Sequence, residues 1–125
     1  MGLTIYIDDP KEKVEEYSCH CGNKHEHRFH ENWFRESITH NLVAMADAAG
    51  LYQVVWLPED NRIVLGKELI PHLEKGLKEL RDNEPKYVEY NPENAWGDYD
   101  SLVIFIEKYL EACIMYPKGI VKAER

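Results

Sequence analysis

Long apolar runs are missing from this chain, basic charge is scarce, and only three of its 125 residues are cysteine. No segment approaches the roughly 18 apolar residues needed to span a bilayer, and no basic stretch leads into an apolar run at the start, so neither a membrane span nor a leader is expected. Fifteen basic against 23 acidic side chains give a net charge of -8, which opposes broad contact with a phosphate backbone. Direct nucleic-acid binding is therefore not expected, while the opposite use, an acidic surface that mimics nucleic acid towards a basic partner, stays open. Three cysteines cannot all pair within one chain, and Cys113 sits in an apolar helical pattern that suits a buried free thiol. A reducing, cytoplasmic setting follows. Phosphate-binding glycine loops, the HExxH and GxSxG patterns and the EF-hand loop are all absent, so no reaction is written in a contiguous motif.

What is present suffices for a fold. Apolar residues make up 44% of the chain and aromatics 11%, enough to offset chain entropy, and 125 residues suit a single domain spanning 1–125. Leu3, Ile5 and Ile7 alternate with Thr4 and Tyr6 as in a strand, which Asp8, Asp9 and Pro10 are expected to end. Residues 14–21 and 25–30 flank Gly22, Asn23 and Lys24, the pattern of a β-hairpin. Ile38, Leu42, Met45, Ala46 and Ala49 mark a helix over residues 37–49 that Gly50 stops. Residues 51–57 read either as a short strand or as an apolar connection. Leu69, Ile70, Leu73, Leu77 and Leu80 mark a second helix ending near Asp82, with Pro71 placed in its first turn. Residues 84–97 read as a long irregular connection. Leu102, Ile106, Tyr109, Leu110 and Cys113 mark a third helix, stopped before Pro117, and residues 120–124 form a last strand. The class expected is α+β: three helices packed on a small antiparallel sheet that includes both termini, with an N-terminal β-hairpin.

Chemistry-bearing side chains concentrate in residues 19–40, which hold Cys19, His20, Cys21, His25, His27, His30 and His40. In the hairpin, Cys19 and Cys21 share one strand face and His25 and His27 share another, because side chains alternate. If those faces coincide, thiolates and imidazoles converge as a zinc ion requires. Strand neighbours i and i+2 lie roughly 7 Å apart at Cα, wider than the turn-held cysteine pairs of most zinc hairpins. The same residues also suit a solvated hairpin whose histidines bond to carboxylates such as Glu26 and Glu31. Thr39, His40 and Asn41 stand at a helix start, where free N–H groups favour an anion, and equally serve there as caps. Tyr52, Trp56, Tyr87, Tyr90, Trp96 and Tyr99 populate the two connections. Beside asparagines, such rings either sandwich a base or pack as satellite core. Asp98 or Asp100 suits the cap of the third helix.

Ile38-Thr39-His40-Asn41-Leu42, then Met45-Ala46, Ala49-Gly50-Leu51-Tyr52 and Trp56-Leu57-Pro58-Glu59, resemble the "ITHNL…MA…AG.Y…W.PE" core of a widespread set of small bacteriophage proteins. The likeness continues through Leu69-Ile70-Pro71, Gly76-Leu77, Asn91-Pro92, Asn94, Trp96-Gly97, Tyr99 and Tyr109-Leu110-Glu111-Ala112-Cys113, and spans residues 38–117. The chain departs from the set at Ala95, where the set has glycine, and at Leu57, where it has arginine, so neither a close backbone approach at 95 nor a charge contact at 57 carries over. The resemblance implies phage origin and action in the host cytoplasm, and it implies no activity. It also marks two places that meet if they share a pocket, the first helix start and the loop before the third helix.

The reading that follows is a non-enzymatic phage accessory protein, in counter-defence for example, that binds a small anionic or nucleotide-like ligand or a host protein. Its candidate contacts are His40, Asn41, Asn94, Trp96 and Tyr99. The alternatives are a zinc protein, structural or hydrolytic, using Cys19, Cys21, His25 and His27, and an acidic interaction protein. Oligomeric state has no signature in the chain.

Overall fold

The computed structural model describes residues 2–18, 22–93 and 97–125. Leu3, Ile5 and Ile7 place one face of β1 (Gly2–Ser18) fully inside the core, as their alternation requires. Two antiparallel neighbours flank this strand, β2 (Lys24–Thr39) and β3 (Ile120–Glu124), giving the order β2, β1, β3. Both termini join the sheet, with Thr4 opposite Glu124 and Gly2 opposite Thr39.

Helices cover the apolar face. A 3₁₀ turn over His40–Leu42 leads from β2 into α1 (Val43–Ala48), which ends at Gly50 with φ 77°, a left-handed conformation that suits glycine. Then follow α2 (Tyr52–Trp56), α3 (Gly66–Asp82), α4 (Glu84–Val88) and α5 (Tyr99–Met115). Leu69, Leu73, Leu77 and Leu80 of α3 face Leu102, Phe105, Ile106, Tyr109 and Cys113 of α5 in one buried cluster. Cys113 is a free, buried thiol, and burial pushes its pKa up to about 12. No helix among the described residues is long and apolar enough to cross a membrane.

The α+β class and the terminal sheet follow the expectation, but among the described residues five α-helices stand where three were expected. Residues 51–57 contain a helix because Leu51, Val54, Val55 and Trp56 are all buried, a helical spacing hidden inside a short apolar run. Part of the 84–97 connection winds into α4, which plants Tyr87 in the core with its hydroxyl donating to Glu79 Oε1 at 2.9 Å. Burial, then that carboxylate, push the phenol up to about 12. The second helix begins at Gly66, so Pro71 falls in its second turn. It is tolerated on an exposed position, where solvent can serve the carbonyl that loses its helical donor. The first helix begins later than expected, because residues 37–39 stay in β2.

The largest departure concerns β1. It does not stop at Asp8, Asp9 and Pro10 but continues to Ser18, and β2 returns alongside it. Register shifts interrupt this ladder. Trp33 is bulged between Asn32, opposite Asp8, and Phe34, opposite Ile7, and residues 9–11 are looped out against Glu31. Such bulges bend a ribbon. Beyond them, residues 11–18 are exposed throughout, and the returning strand keeps only His25 and Phe29 half-buried over residues 24–32. The outer half of the hairpin is thus a two-stranded arm standing clear of the core.

Gly76 illustrates how closely α3 packs. A Cβ there would lie 2.5 Å from Cγ of the fully buried Leu51. Gly76→Ala is expected to lower stability by about 1–3 kcal/mol through overpacking, outweighing the roughly 1 kcal/mol that alanine gains in helix propensity. Urea unfolding of the two proteins checks the sign.

Candidate functional site

His40 is positioned by the indole of Trp56, whose Nε1 donates to His40 Nδ1 at 3.1 Å. Indole nitrogen only donates, so Nδ1 is the acceptor and the proton of the neutral ring sits on Nε2. Trp56 is 1% exposed, and its carbonyl accepts from Arg125 Nη1 at 2.6 Å, while Arg125 also pairs with Glu59 at 2.5 Å. The Glu59 carboxyl is held below its usual range by a backbone hydrogen bond and by Arg125. His40 therefore belongs to a tie between the first helical turn, α2 and the C-terminus. Asn41 is exposed, and its backbone N–H donates to Thr39 Oγ1 at 3.2 Å, so Thr39 is the cap of the turn.

Tyr99 is buried at the start of α5. Its hydroxyl donates to the Leu80 carbonyl at 2.7 Å, its backbone N–H donates to Asn91 Oδ1 at 2.8 Å, and burial raises its pKa. That side chain joins α5 to α3. Asp98 caps α5, accepting from Ser101 N and Oγ at 2.8 Å each, and these bonds, the backbone one first, hold its carboxyl below the usual range. Asn94 and Trp96 lie outside the described residues.

The two places singled out in the sequence do meet. Gly97, with φ 92°, passes so close to the turn after β2 that a Cβ would lie 2.7 Å from Thr39 Cγ2 and 3.1 Å from Leu42 Cδ1. Beside this contact a cleft of about 240 Å³ opens between the end of β2 and α5. Ser37, Thr39, Ser101 and Lys108 are among the residues that line it, and Lys108 pairs with Glu36 at 3.7 Å. His40, Asn41 and Tyr99 do not line it. The lining comes from positions near these three in the chain, among them Thr39, Leu42 and Ser101.

On the arm, Tyr17 stands opposite His25 and Glu15 opposite His27. His25 and His27 therefore share a face, as their spacing requires. Their rings join an aromatic row, His25 stacking on Tyr17 and His27 on Phe29, each with centroids 5.4 Å apart. Cys19 and Cys21 lie outside the described residues. Among the described ones, no three His, Cys, Asp or Glu side chains converge in a way that would hold a metal ion.

Sequence reasoning missed the joint of the arm. Asp8 and Asp9 are 8% and 9% exposed, and each is satisfied. Asp8 accepts from Asn32 Nδ2 at 3.0 Å and pairs with Lys122 at 3.4 Å, while Asp9 accepts from Lys11 N at 2.9 Å and pairs with Lys13 at 3.9 Å. His30 Nδ1 bonds to the Asp9 carbonyl at 2.9 Å, and Lys13 bonds to Glu31. In the sequence, two acids before a proline signal a turn. Only the cross-strand partners show that they anchor a bend within a continuing ribbon.

No protein-family model, curated protein or solved structure matches this chain. His40→Ala leaves a buried indole N–H without its acceptor and is expected to cost about 1–3 kcal/mol in urea unfolding. His40→Gln, whose amide oxygen accepts, should recover part of that loss.

Proposed function

We propose that the chain is a phage accessory protein that acts by binding a host protein, without catalysis, and that the β1–β2 arm is its docking element. The observation that carries this reading is the arm itself. An isolated two-stranded ribbon is at best marginally stable in water, yet here one is held out from the body by a joint of buried, fully paired carboxylates. A partner that covers the ribbon would remove that liability.

The chemistry of the arm suits a protein surface. Val14 and Tyr17 are 52% and 53% exposed, and Tyr17, His25, His27 and Phe29 line one face, with Arg28 opposite Val14 on the other. Aromatic and arginine side chains are the types that anchor protein interfaces. Residues 10–32 carry four basic and five acidic side chains, so nearly all of the net charge of -8 lies on the body. The phage setting, the host cytoplasm and a role in counter-defence rest on the resemblance of residues 38–117 alone.

The test pairs wild type with Val14→Ser/Tyr17→Ser, both changes at exposed positions. Wild type should capture a host protein that is then purified and titrated by calorimetry, and the double variant should bind it at least about tenfold more weakly. Equal affinity of the two proteins would sink the arm as docking element.

A second reading, a small anionic or nucleotide-like ligand, is favoured by the cleft where Thr39, Ser101 and Lys108 converge. A nucleotide present at 100 times its dissociation constant should stabilise the protein by about 2.7 kcal/mol, and Lys108→Ala should abolish that thermal shift. A nucleotide panel that leaves the melting temperature unmoved would exclude it.

A further inference from the structure

The two edges of the sheet are treated differently. On β3, Val121 N donates to Val64 O at 2.8 Å and Leu65 bridges Ile120, so residues 64 and 65 cover the start of that edge. On β2, pairing occupies one side only, and among the described residues no strand lies against the other. Strand β2 is 16 residues long without proline, and its bulge at Trp33 lies outside residues 34–39, so over that stretch neither proline nor a bulge blocks the edge.

What lies along the free edge is a groove. The cleft near Thr39 touches four consecutive residues of β2, Glu36, Ser37, Ile38 and Thr39. Alternation sends successive side chains to opposite faces, so a cavity on a sheet face meets every second residue. A cavity that meets four in a row follows the edge. Its far wall is α5, through Ser101, Ile104, Phe105 and Lys108. A second cleft, of about 220 Å³, continues the track between Trp33 and Phe34 of β2 and Glu111, Ala112 and Met115 of α5. Lys108 lines both clefts, so together they follow about 20 Å of strand at the usual rise per residue.

We propose that this groove binds an extended segment of a partner protein, which adds to the sheet as a strand beside residues 34–39 and carries alternating apolar and basic side chains. The inference takes from the preceding section only that the chain binds a protein, and it does not depend on the arm. An edge strand beside a helix is the framework that receives peptides by strand addition: the open main chain supplies hydrogen bonds, and the helix wall selects alternate side chains. Ile104 and Met115 are 51% and 68% exposed on that wall, and they provide apolar seats at the two ends of the track. Charge selects the rest of the segment. Glu36 and Glu111 line the groove, and the body bears nearly all the net charge of -8, so incoming lysine or arginine is attracted and incoming acid repelled. Lys108 pairs with Glu36 at 3.7 Å from an exposed position onto a half-buried carboxylate at the surface, a long contact that an incoming basic side chain can replace.

The experiment measures anisotropy of a fluorescein-labelled peptide, KVKIKVKIKV, titrated with the full chain. Saturable binding is expected. It should weaken at least about tenfold for the acidic counterpart EVEIEVEIEV, for KVKIPVKIKV, whose proline interrupts the added strand, and for the exposed-site variants Ile104→Glu and Met115→Glu. The arm variant Val14→Ser/Tyr17→Ser should bind the peptide as wild type does, so failure here and failure of the arm are separately visible. Absence of binding, equal binding of the proline peptide, or indifference to Ile104→Glu would each overturn the proposal. So would sedimentation of the chain as a dimer that Ile104→Glu dissociates, since the occupant would then be a second copy.

Discussion

Burial of Leu3, Ile5 and Ile7 on one face of β1 is the constraint from which the remaining architecture follows. A one-residue slip of this strand would turn all three side chains to solvent and Thr4 and Tyr6 to the core. The phase is therefore strongly specified, and with it the position of Ile38 and Phe34 on β2 and of Val121 and Ala123 on β3. Once three strands share that phase, their apolar face needs a cover, and the leucine stripe of α3 and the aromatic stripe of α5 supply it.

The same strand changes character halfway along. Over residues 4–8 it is paired on both sides, with Leu3, Ile5 and Ile7 buried on one face; after the bulges it is paired on one side and buried on neither. Asp8 and Asp9 sit at that boundary. Their burial is sustainable because each has a cation or an N–H within reach, whereas an unpaired buried carboxylate would be costly. The joint turns a continuous ribbon into two mechanically different parts, a sheet that organises the core and an arm that extends from it. The arm and the open edge of β2 are consequences of one long hairpin, whose outer half outruns the helical layer and against whose outer strand no further strand lies among the described residues.

Around the turn after β2, residues held by internal partners lie beside residues that line a cleft. His40 and Tyr99 are engaged within the protein, one by the Trp56 indole and the other by the Leu80 carbonyl. The cleft beside them is lined instead by Thr39, Ser101, Lys108 and the edge of β2. Of the motif residues, His40 and Tyr99 are held by partners behind them, while Asn41 is exposed. Whether an imidazole or phenol faces outward depends on which partner lies behind it, and the partners here come from 16 and 19 residues away.

Local periodicity by itself determined the α+β class, the inner part of β1, the terminal strand, the core stripes of α3 and α5, the stop at Gly50 and the burial of Cys113. Each is a property of a short stretch, set by side-chain alternation, helical spacing or the φ that glycine permits. Tertiary structure alone decided that β1 runs past Pro10, that residues 51–57 coil into a helix, that Asp8 and Asp9 form a joint, and that one sheet edge is covered at its start while no strand lies against the other among the described residues. These depend on register across strands and on which distant groups satisfy a buried polar atom, neither of which a short window contains.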